Sequence, residues 1–126
     1  MTDPAERIGP LGLAVGQRAR RTKTVTAKDV ELYAEITGDR NPLHFDASFA
    51  GRTRFKRLVA QGGITSGMLN ALVAMDLPGP GTVFMNQSLR YLAPTYLGDT
   101  LTAEVEVLSL KPDKPGECWT YTLRPE

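Results

Sequence analysis

A chain of 126 residues, 41% hydrophobic and 23% charged, has the size and make-up of one globular domain rather than a disordered segment. Its formal net charge of +1 gives no purchase to nucleic acid or to an anionic membrane surface, and neither partner is expected. The single cysteine, Cys118, excludes an internal disulfide, fits a cytoplasmic setting and is read as structural.

Residues 1–16 carry Pro4, Pro10 and scattered glycines and read as an irregular N-terminal arm, with residues 17–126 as the domain proper. The arm's Asp3, Glu6 and Arg7 are unlike a secretory signal. Gln17–Val25 alternates weakly and predicts a first, partly exposed strand. Thr26 then stands as a helix N-cap, with Asp29 three residues on in a capping-box position. Val30, Tyr33, Ala34 and Thr37 follow at helical spacing, and Gly38 ends the helix.

The segment from Gly38 to Asp46, G-D-R-N-P-L-H-F-D, reads as a loop stiffened by Pro42. Ile64–Met75 is apolar nearly all round and predicts a buried helix. The charge-free stretch around it includes Gln61, Thr65, Ser66 and Asn70 and is too polar for a membrane span of ~20 apolar residues. The run from Leu77 to Gly81 is a turn. Beyond it the period becomes alternating, in Gln87–Leu92, in Leu101–Val107 and around Trp119, Tyr121 and Leu123, with turns at Leu97–Asp99 and Pro112–Gly116. One apolar helix wrapped by an antiparallel sheet satisfies both kinds of element, an α+β arrangement.

Chemistry concentrates in Asp39-Arg40-Asn41-Pro42-Leu43-His44. A carboxylate and the only histidine of the chain lie five residues apart in one stiff bend, and such a pair can hold a water and move its proton. Solvated surface residues are the plainer reading of the same composition. A calcium loop fits badly, because Leu43 takes its fifth position and no glycine takes its sixth. One histidine and one distant cysteine make no closed zinc site, and the G-x-S-x-G elbow of a serine hydrolase is missing.

The run YAEITGDRNPLHFDASFAGRTRFKRLVAQGGITSGM and the later LPGPGTVFMNQSLRYLAPTYLGDTLTAEVEVLSLKPDKP resemble the MaoC-like family of R-specific enoyl-CoA hydratases, over roughly Thr22 to Pro115. The G-D-x-N-P-L-H element carries most of the specificity. The resemblance implies a hotdog fold, a curved antiparallel sheet around one long apolar helix. It implies addition of water to a trans-2-enoyl-CoA, or the reverse dehydration, without metal or cofactor. It implies an acyl-CoA thioester as substrate and a homodimer as assembly. Asp39 and His44 are the implied water-activating pair, and the Gly62 N–H, at the start of the central helix, the implied oxyanion donor. The family often has His before that glycine; here it is Gln61. Asn41 would fix the bend beside the substrate, and Asn70, two turns into the helix, is a further candidate contact. Arg52, Arg54, Lys56 and Arg57 read either as a solvated loop or as an attraction for CoA phosphates. The resemblance fades after Pro115, where relatives usually carry one more strand, so the sheet is expected to be short of its last strand. A hotdog thioesterase and a non-catalytic acyl-CoA or acyl-carrier binding module are the alternatives.

Overall fold

The computed structural model describes residues 13–111 and 114–125, with side chains to residue 109. In chain order it places strand β1 (Arg18–Thr24), helices α1 (Ala27–Thr37), α2 (Pro42–Phe45), α3 (Ala47–Gly51) and α4 (Gly62–Met75), then strands β2 (Thr100–Lys111) and β3 (Lys114–Pro125). The strands form one antiparallel sheet in the order β1-β2-β3.

Local chemistry sets the start of α1. The Thr26 hydroxyl accepts from the Asp29 N–H and the Asp29 carboxylate accepts from the Thr26 N–H, so the expected capping box is complete. Gly38 ends the helix in the left-handed region at φ 83°, where other residues are strained. Lys23 bonds the same Asp29 carboxylate at 2.9 Å and ties β1 to the helix start.

The alternation of β2 decides which face is inside. Leu101, Ala103, Val105 and Val107 are all buried, and the last three pack with Leu69, Leu72 and Val73 of α4. Each such aliphatic side chain, fully removed from water, contributes about 1.5–3 kcal/mol. A second cluster of Val25, Val30, Ala60 and Leu101 packs under α1, and Met68 touches both clusters. On the outer face, residues directly opposite one another pair in kind. Arg18 meets Glu106 at 2.8 Å, Arg20 meets Glu104 at 2.9 Å, and Thr24 bonds Thr100 at 2.7 Å. The far end of α4 is held as well: both Asp76 carboxylate oxygens accept from the Arg21 guanidinium, at 2.6 and 2.9 Å. These bonds hold the Asp76 carboxyl below the usual carboxylate range.

Three expectations shift. Leu13, assigned to the arm, is fully buried in one core cluster with Val105 and Val107; residues 1–12 lie outside the described residues. Pro42–Phe45, expected as loop, forms a single helical turn, because Pro42 sits at its first position with φ preset and Asn41 caps it. Gln87–Leu92 pairs with no strand among the described residues and runs as irregular chain. All six residues are exposed, so the alternation marks no buried face; Tyr91 still lies against the first turn of α4. β3 begins at Lys114, inside the expected Pro112–Gly116 turn, and the side chains of Cys118, Trp119, Tyr121 and Leu123 lie outside the described residues.

Candidate active site

The bend after α1 is built by a relay of short polar side chains. The Thr37 hydroxyl accepts from the Asp39 N–H, the Asp39 carboxylate accepts from the Asn41 N–H, both at 3.2 Å, and the Asn41 side-chain oxygen accepts from the Leu43 N–H at 3.0 Å. Each bond turns the chain once, and together they swing α2 back so that His44 faces Asp39. Asn41 thus spends its oxygen as the cap of α2. Arg40 turns away and meets Glu31 at 3.0 Å.

His44 Nε2 stands 3.6 Å from Asp39 Oδ2; the imidazole side chain is only 11% exposed and the carboxylate 40%. On the other side of the ring, Nδ1 lies 2.6 Å from the Val59 carbonyl oxygen. A carbonyl only accepts, so Nδ1 carries a hydrogen, and in its neutral form the ring presents the Nε2 lone pair to Asp39. Two acceptors facing one another across that gap suit a molecule with two hydrogens to give. A water donating one hydrogen to each would be held and oriented.

An open cleft of about 330 Å³ adjoins the bend at Leu43 and Val59, and neither Asp39 nor His44 is part of its wall. Its walls include Leu43, next to His44, Val59, whose carbonyl orients the ring, and Gly62 and Thr65 from the first turn of α4. Backbone bonds stitch these walls together: Val59 N–H donates to Leu43, and Ala60 N–H donates to Thr95 at 2.7 Å. Gln61, the residue before α4, is 1% exposed, makes no side-chain cap, and directs its amide nitrogen to the carbonyls of Val30 at 3.1 Å and Asp39 at 3.5 Å. It links α1, the Asp39 bend and the start of α4. With no side-chain cap, the first N–H groups of α4 keep their donor capacity and the positive end of the helix dipole. Gly62, at the first position, opens on the cleft. Asn70 is two turns further along, bonded through its side-chain oxygen to the Gln87 amide at 2.9 Å, and is not part of the cleft wall.

A family model described as a MaoC like domain matches residues 13–120. The chain belongs to the MaoC-like family. This MaoC-like chain is 42% identical over 103 residues to the (R)-specific enoyl-CoA hydratase of Aeromonas caviae, covering 82% of the chain and 77% of that protein. It is 42% identical over 102 residues to the 3-hydroxybutyryl-CoA dehydratase of Methylorubrum extorquens, covering 81% of the chain and 65% of that protein. Among solved structures it superposes on the (R)-hydratase from A. caviae with a TM-score of 0.86 at 39% identity, over 90% of this chain and 86% of that one. An unliganded R-hydratase from Pseudomonas aeruginosa gives 0.75 at 44% identity, over 80% and 65%. The fold is therefore the α+β hotdog. No described helix is long and apolar enough to cross a membrane, and no group of metal-ligating side chains gathers among the described residues.

Several contributors of this MaoC-like site escape a reading of residue types. Val59 acts through its carbonyl, which no side-chain pattern reveals. Tyr91 borders the cleft from a segment whose alternation imitates a strand. Tyr33 presses its phenol against Gly63, where a Cβ would fall 1.8 Å from the hydroxyl; its helical spacing in α1 points inward without naming that neighbour.

Proposed function

We propose that this chain is an (R)-specific enoyl-CoA hydratase, adding water across the double bond of a trans-2-enoyl-CoA thioester, with the reverse dehydration at the same site. The observation that carries the reading is the facing of the Nε2 lone pair of His44 and the Asp39 carboxylate at 3.6 Å, beside the start of α4. The relatives at 42% identity, named as hydratase and dehydratase, support the enzyme class.

Water is a poor nucleophile, and its attack at Cβ drives negative charge onto the thioester oxygen. Asp39 and His44 answer the first difficulty: each accepts a hydrogen bond from the water, and the pair takes up its proton as oxygen bonds to Cβ. The transferred proton is assigned to the pair rather than to one member of it. The Gly62 N–H, reinforced by the dipole of α4, answers the second by donating to the enolate oxygen. The proton then passes from the pair to Cα, closing the balance of one hydroxyl and one hydrogen added. Asn41 and Asn70 enter as scaffold, the first capping α2, the second joining α4 to Gln87.

Assembly as a homodimer belongs to the same proposal. Val83, Met85 and Leu92 are 76–88% exposed on the stretch flanking the cleft, an apolar surface suited to burial against a second copy. The deciding experiment follows loss of enoyl absorbance with crotonyl-CoA and determines the configuration of the product. An (R)-3-hydroxy product supports the reading. Release of free thiol without hydration would establish a thioesterase instead, and binding without loss of absorbance a carrier module.

A further inference from the structure

Every cation of β1 is neutralised: Arg18, Arg20, Arg21 and Lys23 each meet a carboxylate within 3 Å. The loop after α3 is different. Arg52, Arg54, Lys56 and Arg57 meet no carboxylate among the described residues, although they crowd into six positions. Like charges held that close repel one another, and a fold that keeps them so leaves a local positive field. The loop is also fixed. Thr53 N–H donates to Ala50, Lys56 N–H donates to Thr53, and the Thr53 hydroxyl both donates to the Ala50 carbonyl and accepts from the Phe55 N–H. Lys56 is held at φ 68°, in the left-handed region.

Aromatic faces set the guanidinium groups in place. Arg57 lies 3.9 Å from the centre of the Tyr96 ring, Arg54 lies 5.0 Å from that of Phe55, and Arg52 lies 5.8 Å from that of Phe49. A guanidinium stacked on a ring can still offer edge N–H groups to an anion, although Arg52 gives one of its own to the Ser48 hydroxyl at 3.0 Å. Arg54 and Phe55 are also part of the wall of the cleft that contains Gly62 and Thr65. Preorganised cations with no carboxylate partner among the described residues thus adjoin the mouth of the cleft.

We propose that this loop binds the phosphates of the adenosine 3′-phosphate 5′-diphosphate end of coenzyme A, and so selects CoA thioesters over the same acyl group on a bare pantetheine arm. The inference rests on the thioester reading above and names the part of the substrate that reading leaves without a partner. CoA is favoured over a carrier protein by geometry. Four cations within one tight turn match a compact polyanion, whereas the long acidic face of a carrier helix calls for an extended stripe.

The test compares kcat/KM for crotonyl-CoA and for crotonyl-pantetheine, which has no phosphates, in the wild type and in the Arg54→Gln, Arg57→Gln and Arg52→Gln/Lys56→Gln variants. The CoA-to-pantetheine preference should fall about tenfold in at least one variant, as expected for loss of a charge-assisted phosphate bond. A variant that merely disturbed the fold would lower both substrates and keep their ratio. The wild-type preference should also shrink with added salt. An unchanged ratio in all three variants overturns the proposal, as does a selective loss with a crotonyl carrier-protein thioester in place of crotonyl-CoA. Calorimetry with adenosine 3′,5′-bisphosphate separates this proposal from the hydratase reading. If the wild type turns over neither thioester, binding of the bisphosphate that the variants lose still supports the loop as a phosphate site, and no binding overturns it.

Discussion

Gly63 offers the sharpest test of how the site is packed. A Cβ built on it would stand 1.8 Å from the Tyr33 hydroxyl, 2.3 Å from Cζ and 2.6 Å from Cε2, so moving the hydroxyl alone is no remedy and the whole ring must leave. Gly63→Ala brings two opposed effects. Alanine favours helix over glycine by up to ~1 kcal/mol, less in a first turn. Forcing a ring out of a packed site costs about 1–3 kcal/mol. The clash wins, and the variant should be destabilised by roughly 1–2 kcal/mol, a fall in Tm of about 4 °C per kcal/mol for a domain of this size. In a Tyr33→Ala background the obstacle is gone, and Gly63→Ala should then be neutral or stabilising. Urea unfolding of the four proteins gives the coupling, expected at about 1–3 kcal/mol. An equal effect of Gly63→Ala in both backgrounds would refute the packing argument. Gly62→Ala is the control: its Cβ would come within 3.1 Å of Tyr91 Cε1, but that side chain is 58% exposed and free to yield.

Asp39→Asn and His44→Gln should each lower kcat with crotonyl-CoA by about 10²–10⁴-fold in a protein that still unfolds cooperatively, the first close to the wild-type midpoint because the Asp39 carboxylate is 40% exposed. Leu72→Ala, at the fully buried centre of α4, should cost about 2–5 kcal/mol in urea unfolding. Thr26→Ala removes half of the capping box and should cost about 1 kcal/mol. Burial raises the Asp29 carboxyl, but the bonds from Lys23 and Thr26 outweigh it and hold the group below its ordinary value. A carboxylate lowered in the folded state stabilises above its unfolded pKa of ~3.9, and loses that contribution as pH falls through its folded value. Asp29→Asn should therefore destabilise at about pH 7 and lose that effect progressively as pH falls below ~3.9; a deficit constant with pH would contradict the linkage.

Much of the architecture is legible in residue pattern because the forces involved are local. Thr26, Asp29 and Gly38 announce both ends of α1 through bonds made within a turn. Leu101 to Val107 show their buried face by period alone. Gln87–Leu92 mislead because alternation of residue type guarantees neither a buried face nor a backbone partner, and all six residues are exposed. Asp39 and His44 stand out because one short bend holds both. The tautomer of His44 does not, because it depends on a carbonyl fifteen residues away that only the folded chain brings near. Gln61 is legible as a departure from the family's usual His, yet its burial between Val30 and Asp39 comes from the meeting of three elements.

The anchoring of His44 has a practical consequence. It is the sole imidazole in the chain, with one nitrogen committed to Val59. Its carbon-bound ring protons therefore form a built-in magnetic-resonance reporter that needs no assignment by mutagenesis. Any ligand that reaches the bend will disturb those resonances, and any that binds elsewhere will leave them still.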